Sequence, residues 1–179
     1  MRMRRNQSGM TIVEVMMVVV IIAILAAVTM VGIGGVIEAT KAKGGSEQLA
    51  GAIRVARQYA ITRGDLHCIE IFPDAAGSAY RIRVATANPG PLYLCNGATV
   101  EPLTPAPDDK TILAHGQALI TPASQTIVFD PLGIVKNFPP GNPSVSLTVD
   151  ANPTSCPKAP PMEVYVTVYG GVRVRGLTC

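Results

Sequence analysis

The sequence is poor in the residues from which active sites are built. Its only histidines are His67 and His115, and it contains no Gly-x-Ser-x-Gly, no phosphate-binding glycine loop and no metal-spaced cluster. A triad needs a nucleophile with a base held beside it, so no enzyme is expected, and both histidines are read as exposed structural residues. Asp108, Asp109 and Asp130 fall in turn or loop sequence, where a short carboxylate has a conformational role. Four cysteines are present, but the nearest two, Cys156 and Cys179, have 22 residues between them, whereas structural zinc needs close pairs. Neither a metal nor a cofactor is expected. Tryptophan is absent and aromatics make up 4% of the chain. None stands between Arg81 and Arg83 or between Arg173 and Arg175, so these ladders offer no platform on which bases could stack.

Basic charge is lacking once its location is considered. The formal charge is +3, but Arg2, Arg4 and Arg5 lie in the first five residues, and without them twelve basic face twelve acidic side chains. Global charge therefore gives no ground for a nucleic-acid-binding protein. There is also no internal repeat, and 179 residues suffice for one ordinary domain with a protruding segment.

What the chain does have is an apolar N-terminal run. Every residue from Val15 to Val28 is apolar, and from there to Ile37 only Thr29 and glycines interrupt. As a helix, the stretch from Val15 to Ile37 would span about 35 Å, enough for a bilayer with some tilt. Glu14 stands at its head, and a carboxylate there is disfavoured in lipid and marks a function. A secretory signal would have a shorter apolar region followed by its cleavage site. Here a cut after Gly9 would precede the run and remove only the basic stub. The stub arginines place the N-terminus in the cytoplasm and the remainder across the membrane. That compartment is oxidising in bacteria, so disulfides persist. Four cysteines allow three connectivities; Cys68–Cys95 and Cys156–Cys179 are expected, since each links neighbouring segments. Cys179 would then anchor the C-terminal tail.

Beyond Ile37 the pattern changes twice. Glu38 to Gly45 is polar, Gly44-Gly45 is a weak point for a helix, and Ser46 reads as an N-cap. From Glu47 to Arg63, Leu49, Ile53, Ala56 and Ala60 recur at helical spacing while Arg54 and Arg57 project elsewhere. After Gly64 come short alternating runs: 68–72, 79–85, 92–95, 111–114, 126–130, 144–149, 162–168 and 171–175. Their connections are too short for crossovers, which predicts antiparallel pairing. Tyr80, Ile82 and Val84 should face inward, opposite Arg81 and Arg83. The Pro-rich stretches 88–109 and 152–161 read as loops.

Gly9, Met10 and Glu14 ahead of the apolar run resemble the leader of type IV pilins and type II secretion pseudopilins. Three internal segments resemble the GspH/FimT group of minor subunits: Ala56-Arg57-Gln-Tyr-Ala60-Ile-Thr-Arg63-Gly64, Phe129-Asp130-Pro131-Leu132-Gly133, and Gly170-Gly171-Val-Arg173-Val-Arg175. The resemblance implies an α+β pilin-like fold, a long N-terminal α-helix packed on a small antiparallel β-sheet domain. The expected divisions are a leader at 1–9, a hydrophobic transmembrane and filament-core helix at 10–37, its amphipathic continuation at 38–63 and a β-rich domain at 64–179. It implies that prepilin peptidase cuts after Gly9 and N-methylates Met10, and that Glu14 pairs with the terminal amine of a neighbouring subunit. Implied partners are other minor and major pilins or pseudopilins, met through the N-terminal helices, and the inner-membrane assembly platform. The subunit would first be a single-pass inner-membrane protein with a periplasmic domain, then part of a filament near its tip. Its function would be to initiate or cap a type IV pilus; the alternatives are a minor pseudopilin of type II secretion and a DNA-binding minor pilin for transformation. For Arg173 and Arg175 two readings stay open: the solvated face of a half-buried sheet, or a phosphate-binding stripe for DNA.

Overall fold

In a computed structural model of the chain, the described residues are 10–29, 33–75, 77–87, 93–101, 110–113, 119–137, 144–150 and 160–178. Gly9, His115, Asp108, Asp109, Cys156 and Cys179 lie outside them, and so does the expected Cys156–Cys179 pairing.

Two helices come first. The helix α1 (Ile12–Thr29) contains one charged residue, Glu14, and its large apolar side chains from Ile12 to Leu25 are exposed. At 18 residues it is about 27 Å long, a little under the roughly 30 Å of a hydrocarbon core. Among the described residues no helix is long and apolar enough to cross a membrane. The expected segment 10–37 falls on α1, on residues 30–32 outside the description, and on the first turns of α2 (Ile33–Arg63).

The helix α2 runs unbroken through Gly44-Gly45, and Ser46 does not cap it. Ser46 is fully buried and its hydroxyl donates to the Lys43 carbonyl one turn back, which satisfies it within the helix. Ala42, Leu49, Ile53, Ala56 and Ala60 are fully buried, the stripe read from the sequence extended two turns further back. Mostly small side chains let the backbone lie close to the sheets. The helix stops at Gly64, whose φ of 71° and N–H donation to the Ala60 carbonyl form a left-handed cap.

Among the described residues eleven strands follow: β1 (His67–Asp74), β2 (Gly77–Val84), β3 (Thr86–Ala87), β4 (Tyr93–Leu94), β5 (Thr99–Glu101), β6 (Thr111–Ile112), β7 (Leu119–Thr121), β8 (Gln125–Phe129), β9 (Ser144–Asp150), β10 (Met162–Thr167) and β11 (Val172–Gly176). One sheet has the order β5-β2-β1-β8, with β6 also on β2; a second has the order β11-β10-β9-β7; β3 and β4 form a ribbon, and all pairings are antiparallel. The stretch 88–109, expected to be a loop, contains β5, held to β2 across a register shift. Three residues among prolines and glycines carry too little alternation to be read as a strand.

Both sheets bury one face against α2. Ile69, Ile71, Ile82, Ile127 and Phe129 come from the first sheet, and Leu147, Val149, Val164 and Val166 from the second. Tyr80 and Ile82 face this core as expected, with Arg81 and Arg83 opposite. The sheets are also tied directly to one another. The Ile120 N–H donates to the Ser78 hydroxyl, and the Val135 N–H to the Val168 carbonyl.

His67 corrects the sequence reading: it is fully buried rather than exposed. β1 begins at His67, so residues 67, 69 and 71 alternate onto the core face. The ring stacks on Tyr59 of α2 at 6.0 Å and 23°. Its Nδ1 lies 3.2 Å from the Asp65 carbonyl, while Nε2 has no partner.

Candidate assembly site and the Arg57 corner

The N-terminal site starts with Thr11. Its hydroxyl and carbonyl both accept the Glu14 N–H, at 3.4 and 3.1 Å, so Thr11 caps α1. Glu14 sits in the first turn, where the helix dipole favours a carboxylate. The Glu14 carboxylate is exposed and forms no ion pair among the described residues, and Met10 beside it is 67% exposed. A lone anion is therefore presented four residues after Met10, on an otherwise uncharged helix.

The three internal segments singled out in the sequence meet at one place, around Arg57. Its Nε donates to the Gly133 carbonyl at 3.1 Å. It also lies against Gly170: a Cβ built there would stand 2.5 Å from Arg57 Nε and 2.5 Å from the Gly133 carbonyl oxygen. Both glycines have positive φ, 75° and 72°, which a side chain would oppose. Arg57 thus does not project away from the domain, as its helical spacing suggested. It ties α2 to the turn after β8 and to the turn between β10 and β11. One turn earlier, Arg54 donates to the Val172 carbonyl at 3.3 Å.

The Gly133 turn is organised by Asp130, which is buried. Its carboxylate accepts the N–H groups of Leu132 (2.9 Å) and Ile134 (2.8 Å) and pairs with Lys136 at 2.9 Å. Burial pushes the Asp130 carboxyl up, but the Ile134 N–H, the Lys136 ammonium and the Leu132 N–H outweigh it, so it titrates below its usual range. Glu163 on β10 is also buried; hydrogen bonds from Arg175 and then Ser146 hold its carboxyl below the usual range. A depressed folded pKa contributes stability that is present above the unfolded pKa and lost as pH falls through the folded one. Thermal melts should therefore fall from about pH 4 downward, and Asp130→Asn should flatten that slope. An unchanged slope in that variant would remove Asp130 from the account.

The remaining expected residues fall into two groups. Cys68 and Cys95 are joined by a disulfide, with Cα atoms 6.0 Å apart. It pins the segment after β4 over the outer face of β1, where Cys68, Ala85 and Val128 are buried with Leu66 and Tyr93. Arg173 and Arg175 both point outward from β11, while Val172 and Val174 pack on the core. Arg175 is paired with Glu163, its direct cross-strand neighbour, and Arg173 has no carboxylate partner among the described residues. Arg81 and Arg83 share a single carboxylate, Glu70, at 2.7 and 3.7 Å. Sequence reasoning missed Glu163 and the inward turn of Arg57. The glycines at 133 and 170 were the available signal for Arg57, since each leaves room for a close approach.

Comparison with known proteins matches these two parts of the chain separately. Residues 4–30 match the prokaryotic N-terminal methylation motif, and residues 45–169 match the family described as type II transport protein GspH. No curated protein sequence matches the chain. Two crystal structures of the type IV minor pilin FimU of Pseudomonas aeruginosa, in different space groups, share the fold. They superpose with TM-scores of 0.50 and 0.51 at 15% identity, covering 74% and 76% of this chain and 91% and 89% of theirs. Subunits of this kind are structural components rather than enzymes. Because the GspH pattern covers well over half of the residues and the methylation motif precedes it, the chain belongs to the GspH family of type IV pilin and pseudopilin subunits.

Proposed function

We propose that the chain is a minor pilin of a bacterial type IV pilus, one that initiates or caps filament assembly by packing α1 against the helices of other subunits. The observation that carries this reading is the lone Glu14 carboxylate on an otherwise uncharged helix whose large apolar side chains are exposed. At the centre of a membrane helix an unpaired carboxylate costs about 2.5–3.5 kcal/mol, the upper bound for Glu14 in its first turn. The N-methylated amine of Met10 on a neighbouring subunit relieves that cost only in the filament. Glu14 therefore favours the assembled state and sets its axial register. Before assembly, Arg2, Arg4 and Arg5 hold the N-terminus in the cytoplasm, prepilin peptidase cuts after Gly9, and the β domain waits in the periplasm.

The mass of the N-terminus in protein purified from its own host tests the processing step. A chain beginning with N-methylated Met10 is expected; an intact stub in a peptidase-competent host would sink the reading. Glu14→Ala should leave cleavage intact and lower incorporation into filaments at least about tenfold, because 1.4 kcal/mol already amounts to that factor. A second reading, a minor pseudopilin of type II secretion, is favoured by the description of the matched family. Deletion in the host separates the two: loss of surface pili supports the first, and loss of exoprotein secretion with pili intact supports the second.

A further inference from the structure

The strand β11 ends the second sheet, with β10 on one side and, among the described residues, no strand on the other. The Thr167 N–H donates to the Gly171 carbonyl and the Leu177 N–H to the Pro161 carbonyl, so odd-numbered residues of β11 turn their backbone groups toward β10. Val172, Val174 and Gly176 turn theirs outward. Of these, only the Val172 carbonyl has a partner, Arg54. Natural sheets protect such edges with short strands, charged side chains, proline, bulges or a covering segment. Over Val172–Gly176 the charged residues are Arg173 and Arg175, the sequence has no proline and the pairing with β10 shows no register shift.

Two further features belong to this strand and to its start. Leu132 and Tyr169, 74% and 78% exposed, are the most exposed large apolar residues of the described β domain. They sit in the two turns that touch at Gly133 and Gly170, at the start of β11. The second feature is Arg173. Among the described residues after Gly64, Arg81, Arg83, Lys110, Lys136 and Arg175 are each paired with a carboxylate, whereas Arg173 is exposed and has no such partner.

We propose that the free edge of β11 is a docking site for an extended acidic segment of a partner protein, which adds as a further strand beside Leu132 and Tyr169 and sets a carboxylate opposite Arg173. Main-chain bonds to Val174 and Gly176 supply the attachment, the exposed turns supply apolar anchors, and Arg173 selects the charge of the guest. A second copy of this chain is the wrong occupant. An antiparallel β11–β11 pair that aligns the outward-facing residues sets arginine across from arginine, and like charges directly opposite are destabilising. The site is separate from the helix-mediated contacts of assembly and does not depend on which machine the subunit serves.

The test uses the full chain in detergent micelles and a fluorescent octapeptide alternating valine with aspartate and threonine, followed by anisotropy. Binding is expected for this peptide and not for its lysine counterpart or for the same peptide with every backbone N–H methylated. Arg173→Glu should weaken binding roughly five- to tenfold. Gly176→Pro removes an outward N–H that β10 does not use, at an exposed position where an added Cβ meets only the Met162 sulfur at 3.9 Å, and should abolish binding while the fold persists, as proline is tolerated on strand edges. Absence of acidic-peptide binding would overturn the proposal, and so would binding indifferent to N-methylation or to Arg173→Glu. Two alternative occupants would overturn it as well: self-association of the chain that Gly176→Pro removes, or binding of a single-stranded oligonucleotide lost in Arg173→Glu without any binding of the acidic peptide.

Discussion

Replacing both Cys68 and Cys95 by alanine is expected to lower the stability of the folded chain by about 3–4 kcal/mol. The bond closes a segment with a sequence separation of 27, and for a loop of that size the entropy removed from the unfolded chain is worth about 3.5 kcal/mol. The fold depends on the bond because of what it covers. The outer face of β1 is screened by short pieces, β3, β4 and the residues after them, whose own pairings are two residues long. Two-residue ladders cannot hold a cover in place. Denaturant titration under oxidising conditions measures the loss. A decrease below about 1 kcal/mol would show that the cover holds without the bond.

Gly170→Ala is expected to cost about 2–5 kcal/mol, against about 1–2 kcal/mol for Gly64→Ala. The two glycines have nearly the same φ, 72° and 71°, so the left-handed backbone term is common to both. Their surroundings differ. Around Gly64 an added Cβ meets nothing within 4 Å, whereas at Gly170 it would meet Arg57 Nε and the Gly133 carbonyl oxygen, both at 2.5 Å. The difference between the variants therefore measures the tightness of the Arg57 corner. Adding Arg57→Ala should recover only the side-chain part of that difference, because the Gly133 backbone remains in place. Equal losses at positions 64 and 170 in thermal or chemical unfolding would mean that the corner opens at little cost.

The sequence was most informative where one period ran for several turns. The α2 stripe at Leu49, Ile53, Ala56 and Ala60 and the alternation of Tyr80 and Ile82 against Arg81 and Arg83 are found as read. It was least informative where a residue's role depends on a distant segment. Arg57 looks solvent-directed on a helical wheel, and only the arrival of Gly133 and Gly170 gives it a partner. Ser46 has the identity of an N-cap, but burial of its turn against the domain keeps the helix running. His67 was misread for want of one residue of strand: starting β1 at position 67 rather than 68 puts the ring on the face of Ile69 and Ile71. In the second sheet, the neutralisation of Arg175 required knowing that β10 and β11 pair with Glu163 opposite it.

In the proposed filament a pull on the subunit would act through its helix, and the burial of α2 decides how that pull reaches the rest of the molecule. Its buried positions run from Ala42 to Ala60 and touch both sheets, and Arg57 fastens its far end to a turn of each. Tension along the helix axis must therefore slide the whole interface at once; it cannot peel away one contact at a time. Loaded in this way, the β domain would move with its helix as one piece.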